Sequence, residues 1–260
     1  MPKRKKFMTF LTLVFLGFAF LCQQTNTLKT TRYTWQSSRV PQAFDGYRIV
    51  HVSDLHNKRF GKGQSRLLRA IRDAQPDMIA LTGDFADLTT KDLGAVRELL
   101  DGTQGLAPIY FVEGNHDPNS PHYRALLALL SQYGVTVLDG YTRLERGGEA
   151  MSLAGCAYWG QWIFSEPSDI VLYHDPDSFP RFAALGCGLL LSGHIHGGQI
   201  ALPNGRALFG PKTTLFPKYS HGEYREGDST MILSRGLGVS RIPFRLFAPP
   251  EIVVIELKYT

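Results

Sequence analysis

The sequence predicts an α/β fold, a two-sheet α/β sandwich preceded by an N-terminal membrane segment. Short apolar runs alternate with helical patterns in the first half, and strands and turns dominate the second half. Polar residues gather directly after the apolar runs, where open α/β sheets hold their sites. With 260 residues, 43% of them hydrophobic and 20% charged, the chain has the composition and length of a globular protein with one substantial core.

The first half alternates between three strands and three helices. The strands are expected at 47–52, 77–81 and 108–112, and the helices at 64–75, 93–101 and 121–133. In the first of these helices Leu67, Leu68 and Ile71 share one face, and Pro76 ends the pattern. Further strands are expected at 135–138, 151–154, 170–173, 189–192, 199–202, 231–234 and 252–257. So many strands fit two packed sheets better than one doubly wound sheet.

The positive charge is concentrated at the N-terminus. Four of the basic residues behind the net charge of +5 stand at positions 3–6, so the remainder of the chain is nearly neutral. A nucleic-acid-binding protein would carry its basic residues as a stripe on the globular part. No nucleic-acid binding is therefore expected.

An apolar run follows that basic cluster. Residues 7–22 include no charge, and no polar face recurs among them, which argues against a buried core helix. A secretory signal remains an alternative, but an uncleaved signal anchor is favoured because the small residues of a cleavage site are missing. Basic residues before the span predict an extracytoplasmic domain. We therefore divide the chain into a membrane segment at 1–28, a linker at 29–43 with a strand at 32–35, and a domain at 44–260.

Potential metal ligands follow five of the expected strands. They are Asp54 and His56, Asp84 and Asp87, Asn115 to Asp117, His174, and His194 with His196. Any one of them has an ordinary alternative as a helix cap or a turn residue, and the two histidines in LSGHIHGGQI alone leave both interpretations open. Five such places at strand ends favour a metal site. Mixed carboxylate, amide and imidazole ligands suit zinc, manganese or iron rather than magnesium or calcium.

The ordered motifs DxH, GDxxD, GNH(D/E), H and GHxH resemble those of the calcineurin-like metallophosphoesterases. Here they stand as Asp54-x-His56, Gly83-Asp84-x-x-Asp87, Gly114-Asn115-His116-Asp117, His174 and Gly193-His194-x-His196. The residues around Ser53, the Gly-Gly-Gln after His196, and the stretch 234–238 resemble the membrane-anchored bacterial branch of the family.

This resemblance implies a four-layer fold and a phosphoesterase with two divalent or trivalent metal ions, with manganese, iron or zinc expected. It implies one metal on Asp54, His56 and His196, and a second on Asn115, His174 and His194. Asp84 would bridge the two metals, and a bridging hydroxide would attack phosphorus. His116 would stabilise the phosphate or protonate the leaving oxygen, while Asp87 and Asp117 would orient imidazoles.

The substrate expected from this resemblance is a phosphomonoester or phosphodiester. Leu88 follows Asp87 where the phosphoprotein phosphatases have an arginine, so a phosphate clamp would require Arg235, Arg241 or Arg245 to fold over the site. Three alternatives stay open. One is a UDP-2,3-diacylglucosamine-type pyrophosphate hydrolase, whose site would face the cytoplasm. The others are a non-catalytic metal-binding module and a mononuclear zinc hydrolase.

Two aromatic stretches, 158–164 and 242–247, allow two interpretations. Ordinary packing beneath loops is the simpler one. The other is a flap that holds a lipid-linked phosphoester at the membrane surface, as the N-terminal segment suggests.

Overall fold

The computed structural model describes residues 2–160, 166–210, 214–240 and 242–260, and within them it has five α-helices and twelve strands. The helices are α1 (Pro2–Asn26), α2 (Ser65–Ala74), α3 (Gly94–Thr103), α4 (Tyr123–Gln132) and α5 (Phe179–Ala184). The strands are β1 (Lys29–Gln36), β2 (Arg48–Val52), β3 (Met78–Thr82), β4 (Ile109–Val112), β5 (Thr136–Val137), β6 (Gly140–Arg146), β7 (Glu149–Gly155), β8 (Ile170–Leu172), β9 (Leu189–Ser192), β10 (Gly222–Glu226), β11 (Ser229–Leu233) and β12 (Glu251–Lys258).

The strands form two six-stranded mixed sheets, in the orders β1-β12-β2-β3-β4-β5 and β10-β11-β9-β8-β7-β6. In the first sheet β2 to β5 are parallel, and in the second β11, β9, β8 and β7 are parallel. Parallel neighbours place their carboxyl ends at one edge of a sheet. The two-sheet α/β sandwich expected from the sequence is confirmed.

Alternate residues of each strand fill the space between the sheets. Ile49 of β2 and Met78 of β3 face the second sheet, whereas Val50 and Ile79 face outward. The second sheet contributes the following inward residues: Leu153, Ile170, Leu172, Leu189, Leu191 and Ile232. Because both faces of the central strands are covered, those strands read as continuous apolar runs.

Helices cover the outer faces and complete four layers. The helices α2, α3 and α4 bury apolar stripes on the first sheet, with Leu67, Leu99 and Leu126 among the residues that share its outer core. On the second sheet Phe179 and Phe182 of α5 pack into a smaller cluster. Each amphipathic helix thus excludes water from one side of the sandwich.

The helix α1 is exposed along its apolar run. The segment Arg4–Asn26 has a mean hydropathy of 1.7 and is long and apolar enough to cross a membrane, by length and composition. Phe7, Phe10, Phe15 and Phe18 are at least 60% exposed. No part of the described chain covers this surface.

The strand expected at 32–35 is present but longer. β1 pairs in parallel with β12 over eight residues, so much of the segment whose composition predicts a linker belongs to the first sheet. Trp35 and Phe44 are buried in the core between the sheets, which gives this segment its stability. The division of the chain at residues 28 and 43 stays a prediction.

Some elements carry too weak a pattern to be predicted. The edge strands β6 and β10 are rich in charged residues, and α5 is only six residues long. Residues 199–202 are not a strand of either sheet; Ile200 and Ala201 form single bridges to Leu246 and Ala207. Gln199 has a φ of 52°, which interrupts extended backbone at that point.

Candidate metal centre

The predicted site residues all follow carboxyl ends of parallel strands. Three of those strands lie in the first sheet and two in the second. The strands and residues are β2 with Asp54 and His56, β3 with Asp84, β4 with Asn115 and His116, β8 with His174, and β9 with His194 and His196. The packing of the two sheets brings six of the seven predicted ligands into two groups of three, and Asn115 lines the adjoining cavity with His116.

The first group consists of Asp54, His56 and His196, whose ligand atoms lie within 4.8 Å of one another. The Nε2 atoms of His56 and His196 are 3.3 Å apart, and His196 Nε2 lies 3.4 Å from Asp54 Oδ1. Two imidazole nitrogens and a carboxylate oxygen thus face one point. This donor set fits a divalent cation.

The second group consists of Asp84, His174 and His194. His174 Nε2 lies 3.1 Å from Asp84 Oδ2, and these two atoms and Asn115 Oδ1 are buried without a hydrogen-bond partner in the described chain. Buried polar atoms that lack partners are rare and costly. Here they are ligand atoms of three types, so the residues fit a metal ion at this point as well.

Hydrogen bonds fix the tautomers of two histidines. His174 Nδ1 donates to the Thr82 carbonyl at 2.6 Å, and His56 Nδ1 donates to Asp87 Oδ2 at 2.9 Å. In the neutral ring, the Nε2 of each then presents its lone pair to the site. The expected role of Asp87 as an orienting partner agrees with this contact.

Asp84 lies between the two groups. Its Oδ1 accepts the His116 main-chain N–H at 2.8 Å, while its Oδ2 faces His174 at 3.1 Å and His56 at 3.8 Å. Burial would raise the pKa of Asp84, but the facing His174 and His56 lower it, so the carboxylate is ionised. A carboxylate placed in this way can serve both groups.

The electrostatics of His174 also favour a cation. Burial alone would lower the pKa of His174, yet the neighbouring Asp84 carboxylate outweighs it and raises the pKa to about 10. The pKa of His196, in contrast, is lowered by burial and by the nearby His56 and Arg245. The second group therefore stabilises positive charge, which a metal ion supplies in place of a proton.

Five of the seven predicted ligands have left-handed backbone. They are Asp54, His56, Asp84, His194 and His196, with φ between 45° and 76°. Such conformations cost residues other than glycine on the order of 1–3 kcal/mol each and concentrate at functional sites. The backbone is therefore bent to aim these side chains inward, a feature that the sequence motifs do not reveal.

Glycines allow the ligand loops to approach one another. A Cβ on Gly193 would lie 1.9 Å from Ser53 Oγ, and one on Gly114 would lie 2.2 Å from Asp84 Oδ1. Any side chain at these positions would displace Asp54 or Asp84. The glycines of the GHxH and GNH motifs are thus required by close packing.

Asp117 differs from its expected role. Instead of orienting an imidazole, it is fully buried and accepts main-chain N–H bonds of 2.8–3.0 Å from Asp84, Phe85, Ala86 and Gly114. These donors join the loops after β3 and β4. Its position next to the ligand motif gave no signal of this structural function.

A cavity of about 510 Å³ opens beside the two groups. His116 lines it, and its ring centroid lies 5.3 Å from that of His56. Burial lowers the pKa of His116. The apolar residues of the wall are Tyr158, Trp159, Ile195, Phe209 and Ile242.

The C-terminal segment does fold over the site, but its arginines have other partners. Arg235 Nη1 pairs with Glu251 Oε2 at 2.5 Å, and the fully buried Arg245 donates to main-chain carbonyls. Neither lines the cavity. Arg241, the third candidate for a phosphate clamp, lies outside the described residues, as do residues 161–165 of the first aromatic stretch.

The comparisons agree with this geometry. The family model described as calcineurin-like phosphoesterase matches residues 47–198, and the chain belongs to that family. It is 32% identical to the metallophosphoesterase YkuE of Bacillus subtilis, over 91% of this chain and 88% of that protein. It is 29% identical to the phosphodiesterase YaeI of Escherichia coli, over 81% and 82%. A Danio rerio transmembrane protein with a metallophosphoesterase domain is 27% identical, over 85% and 55%.

Proposed function

We propose that this protein is a membrane-tethered, dinuclear metal-dependent hydrolase of phosphomonoesters or phosphodiesters. The observation that carries the proposal is the position of Asp84 Oδ2, which has no hydrogen-bond partner in the described chain and faces one histidine of each group. One carboxylate shared by two imidazole-containing groups is the arrangement that two neighbouring cations require.

The proposed ligands divide between the two ions. Asp54, His56 and His196 would hold one, and Asn115, His174 and His194 the other, with Asp84 shared. The metals are expected to be manganese, iron or zinc, because imidazole and carboxylate ligands are mixed. When bound, they would offset charge on the phosphoryl oxygens and activate a water molecule.

The protein's own residues position the reaction. Asp87 and the Thr82 carbonyl hold the imidazoles of His56 and His174 in orientation. The main-chain N–H of His116 bonds to Asp84, which places the imidazole of His116 on the wall of the cavity next to both groups. From there it can donate a proton or a hydrogen bond to the leaving oxygen.

The placement of His116 also favours an enzyme over a module that only binds metal. Its ring belongs to neither ligand group, and a binding-only site would have no use for an imidazole at the cavity. The helix α1 supports the membrane tether. The basic residues before it support an extracytoplasmic domain.

The test uses full-length protein in detergent, stripped of metal and reconstituted with Mn²⁺. Matched nitrophenyl monoester and diester substrates and a UDP-linked lipid are hydrolysed in parallel, and bound metal is counted. We expect two ions per chain and faster turnover of a nitrophenyl ester than of the UDP-lipid. One ion per chain would refute the dinuclear centre.

Two variants separate metal binding from catalysis. His116→Ala is expected to retain both ions while kcat falls by roughly 10²–10⁴-fold, the usual contribution of a positioned acid. Asp84→Asn is expected to lose metal as well as activity. His122→Ala, outside both ligand groups, is the control. Unchanged kcat in His116→Ala would contradict the role given to His116.

A further inference from the structure

The last turn of α1 is bonded to the catalytic domain. Gln24 Oε1 accepts the Phe247 main-chain N–H at 3.2 Å, and Thr25 Oγ1 accepts that of Arg245 at 3.0 Å. The Phe20 and Phe247 rings meet edge to face with centroids 5.9 Å apart. The apolar run ends at residue 22, so these contacts place the 245–247 segment at the level where the run ends.

Basic side chains secure the same turn. Lys58 Nζ donates to the Thr25 carbonyl, and Arg66 Nη1 donates to the Asn26 carbonyl at 3.0 Å. Cations at a helix C-terminus satisfy its free carbonyls and complement its dipole. The helix is therefore joined to the domain without a flexible linker, and a bilayer around α1 would meet the domain surface near Phe247.

Hydrogen-bonded segments connect that surface to the cavity. Leu246 bridges in parallel to Ile200, and the Leu208 main-chain N–H donates to the Ile200 carbonyl at 2.9 Å. At strand spacing, Leu208 lies about 10 Å from Leu246. The neighbouring Phe209 lines the cavity.

Exposed apolar side chains surround this side of the cavity. We call Trp159, Phe209, Leu215 and Phe216 the rim; they are 68%, 37%, 63% and 47% exposed. Trp159 and Phe209 line the cavity, Leu215 bridges to Phe209, and the Phe216 main-chain N–H donates to the Leu208 carbonyl. The guanidinium of Arg206 lies 4.6 Å from the centroid of the Phe216 ring. Aromatic side chains with a cation beside them are typical of groups that enter the boundary between headgroups and acyl chains.

From these contacts we propose that the rim sits in the membrane surface and that the cavity takes its phosphoester directly from the bilayer. The substrate class is a phosphoester on a lipid, with phosphate at the two ligand groups and the apolar part of the molecule along Trp159, Phe209 and Ile242. This inference rests on the proposed function and specifies its substrate class. Gln199 supports the arrangement, since its Nε2 donates to the Ile242 carbonyl at 2.6 Å and holds that segment at the cavity.

The test compares two diesters that share one scissile bond. Ethyl p-nitrophenyl phosphate is soluble, and hexadecyl p-nitrophenyl phosphate is presented in phosphatidylcholine vesicles that hold the full-length, Mn²⁺-loaded protein. In both, water oxygen bonds to phosphorus, the P–O bond to the nitrophenyl group breaks, and nitrophenolate leaves. We expect kcat/KM to be higher for the hexadecyl ester.

Rim variants give the decisive result. Phe209→Ser and Phe216→Ser, singly and together, are expected to lower the ratio of hexadecyl to ethyl kcat/KM by roughly tenfold in the double variant. Phe216→Leu should retain the ratio. Tyr259→Ser, which removes an exposed aromatic remote from the rim in sequence, is the matched control. Turnover of the ethyl ester in each preparation verifies that the variant is folded.

The outcomes distinguish the two proposals. A ratio that is unchanged in both single variants and in the double variant would overturn the membrane-facing rim while leaving the phosphoesterase intact. Equal turnover of the two esters by the unmodified protein would have the same meaning. If neither ester releases nitrophenolate in a metal-dependent manner, the proposed function itself fails.

Discussion

Replacement of the buried Arg245 by methionine is expected to destabilise the domain substantially. The guanidinium is fully buried and donates at 2.5–3.1 Å to the carbonyls of Arg235, His196, Gly238 and Ala248. These bonds join the C-terminal segment to the loop of the second metal-ligand motif. Methionine fills a similar volume but offers no donor.

Two opposing terms set the magnitude. Four buried carbonyls that lose their donor cost about 1–3 kcal/mol each, or about 4–12 kcal/mol together. Burial lowers the pKa of Arg245 from 12.5 to about 10. At 1.4 kcal/mol per tenfold change, removal of the charge therefore returns about 3 kcal/mol. The loss of hydrogen bonds wins, and we expect a net destabilisation of about 4 kcal/mol.

The assay is denaturant unfolding of the metal-free protein, followed by metal titration. Arg143→Met, at an exposed position of β6, is the control and should change the free energy of unfolding by less than about 0.5 kcal/mol. Metal affinity should also fall, because Arg245 Nη2 lies 3.2 Å from His196 Nδ1. A loss of less than about 1 kcal/mol for Arg245→Met would refute the reasoning, since the four carbonyls would then have found other donors.

Two further predictions concern the N-terminal helix and acid stability. Deletion of residues 2–19 leaves the docked turn of α1 in place and should preserve Tm, whereas deletion of 2–27 removes its hydrogen bonds and should lower Tm by roughly 5–10 °C; equal Tm values would mean that the docking contributes nothing. Burial lowers the pKa of His51 to about 3, against 6.5 when unfolded, so the unfolded chain binds the proton first as the pH falls. Unfolding free energy should therefore fall by up to about 1.4 kcal/mol per pH unit from 6.5 towards 3, and less steeply in His51→Gln; parallel acid-unfolding curves would contradict this.

Much of the candidate site could be predicted because its ligand motifs are local. Asp54 and His56 follow β2 directly, and His194 and His196 follow β9, so each motif lies where its strand ends. A buried parallel strand is a short apolar run, and the polar residues after it stand out. The edge strands β6 and β10 give no such contrast, because their exposed faces are charged.

The role of Arg245 could not be predicted in the same way. Its acceptors lie on segments that are distant in the sequence, including His196, and nothing around residue 245 distinguishes a buried arginine from a surface one. The rim also escapes prediction. Phe209 and Phe216 come together with Trp159 only because single bridges fold the 199–217 segment beside the cavity.

The sequence by itself determined the ligand types, their order and their positions at strand ends, since these depend on neighbouring residues and on a resemblance carried by short motifs. Only the tertiary structure decided which ligands meet, how Asp84 lies between the two groups, and where α1 docks. Those features arise from contacts between segments far apart in the chain, such as β1 on β12 and Thr25 with Arg245. Pairings of that kind are settled by the packing of the whole molecule and leave no local pattern.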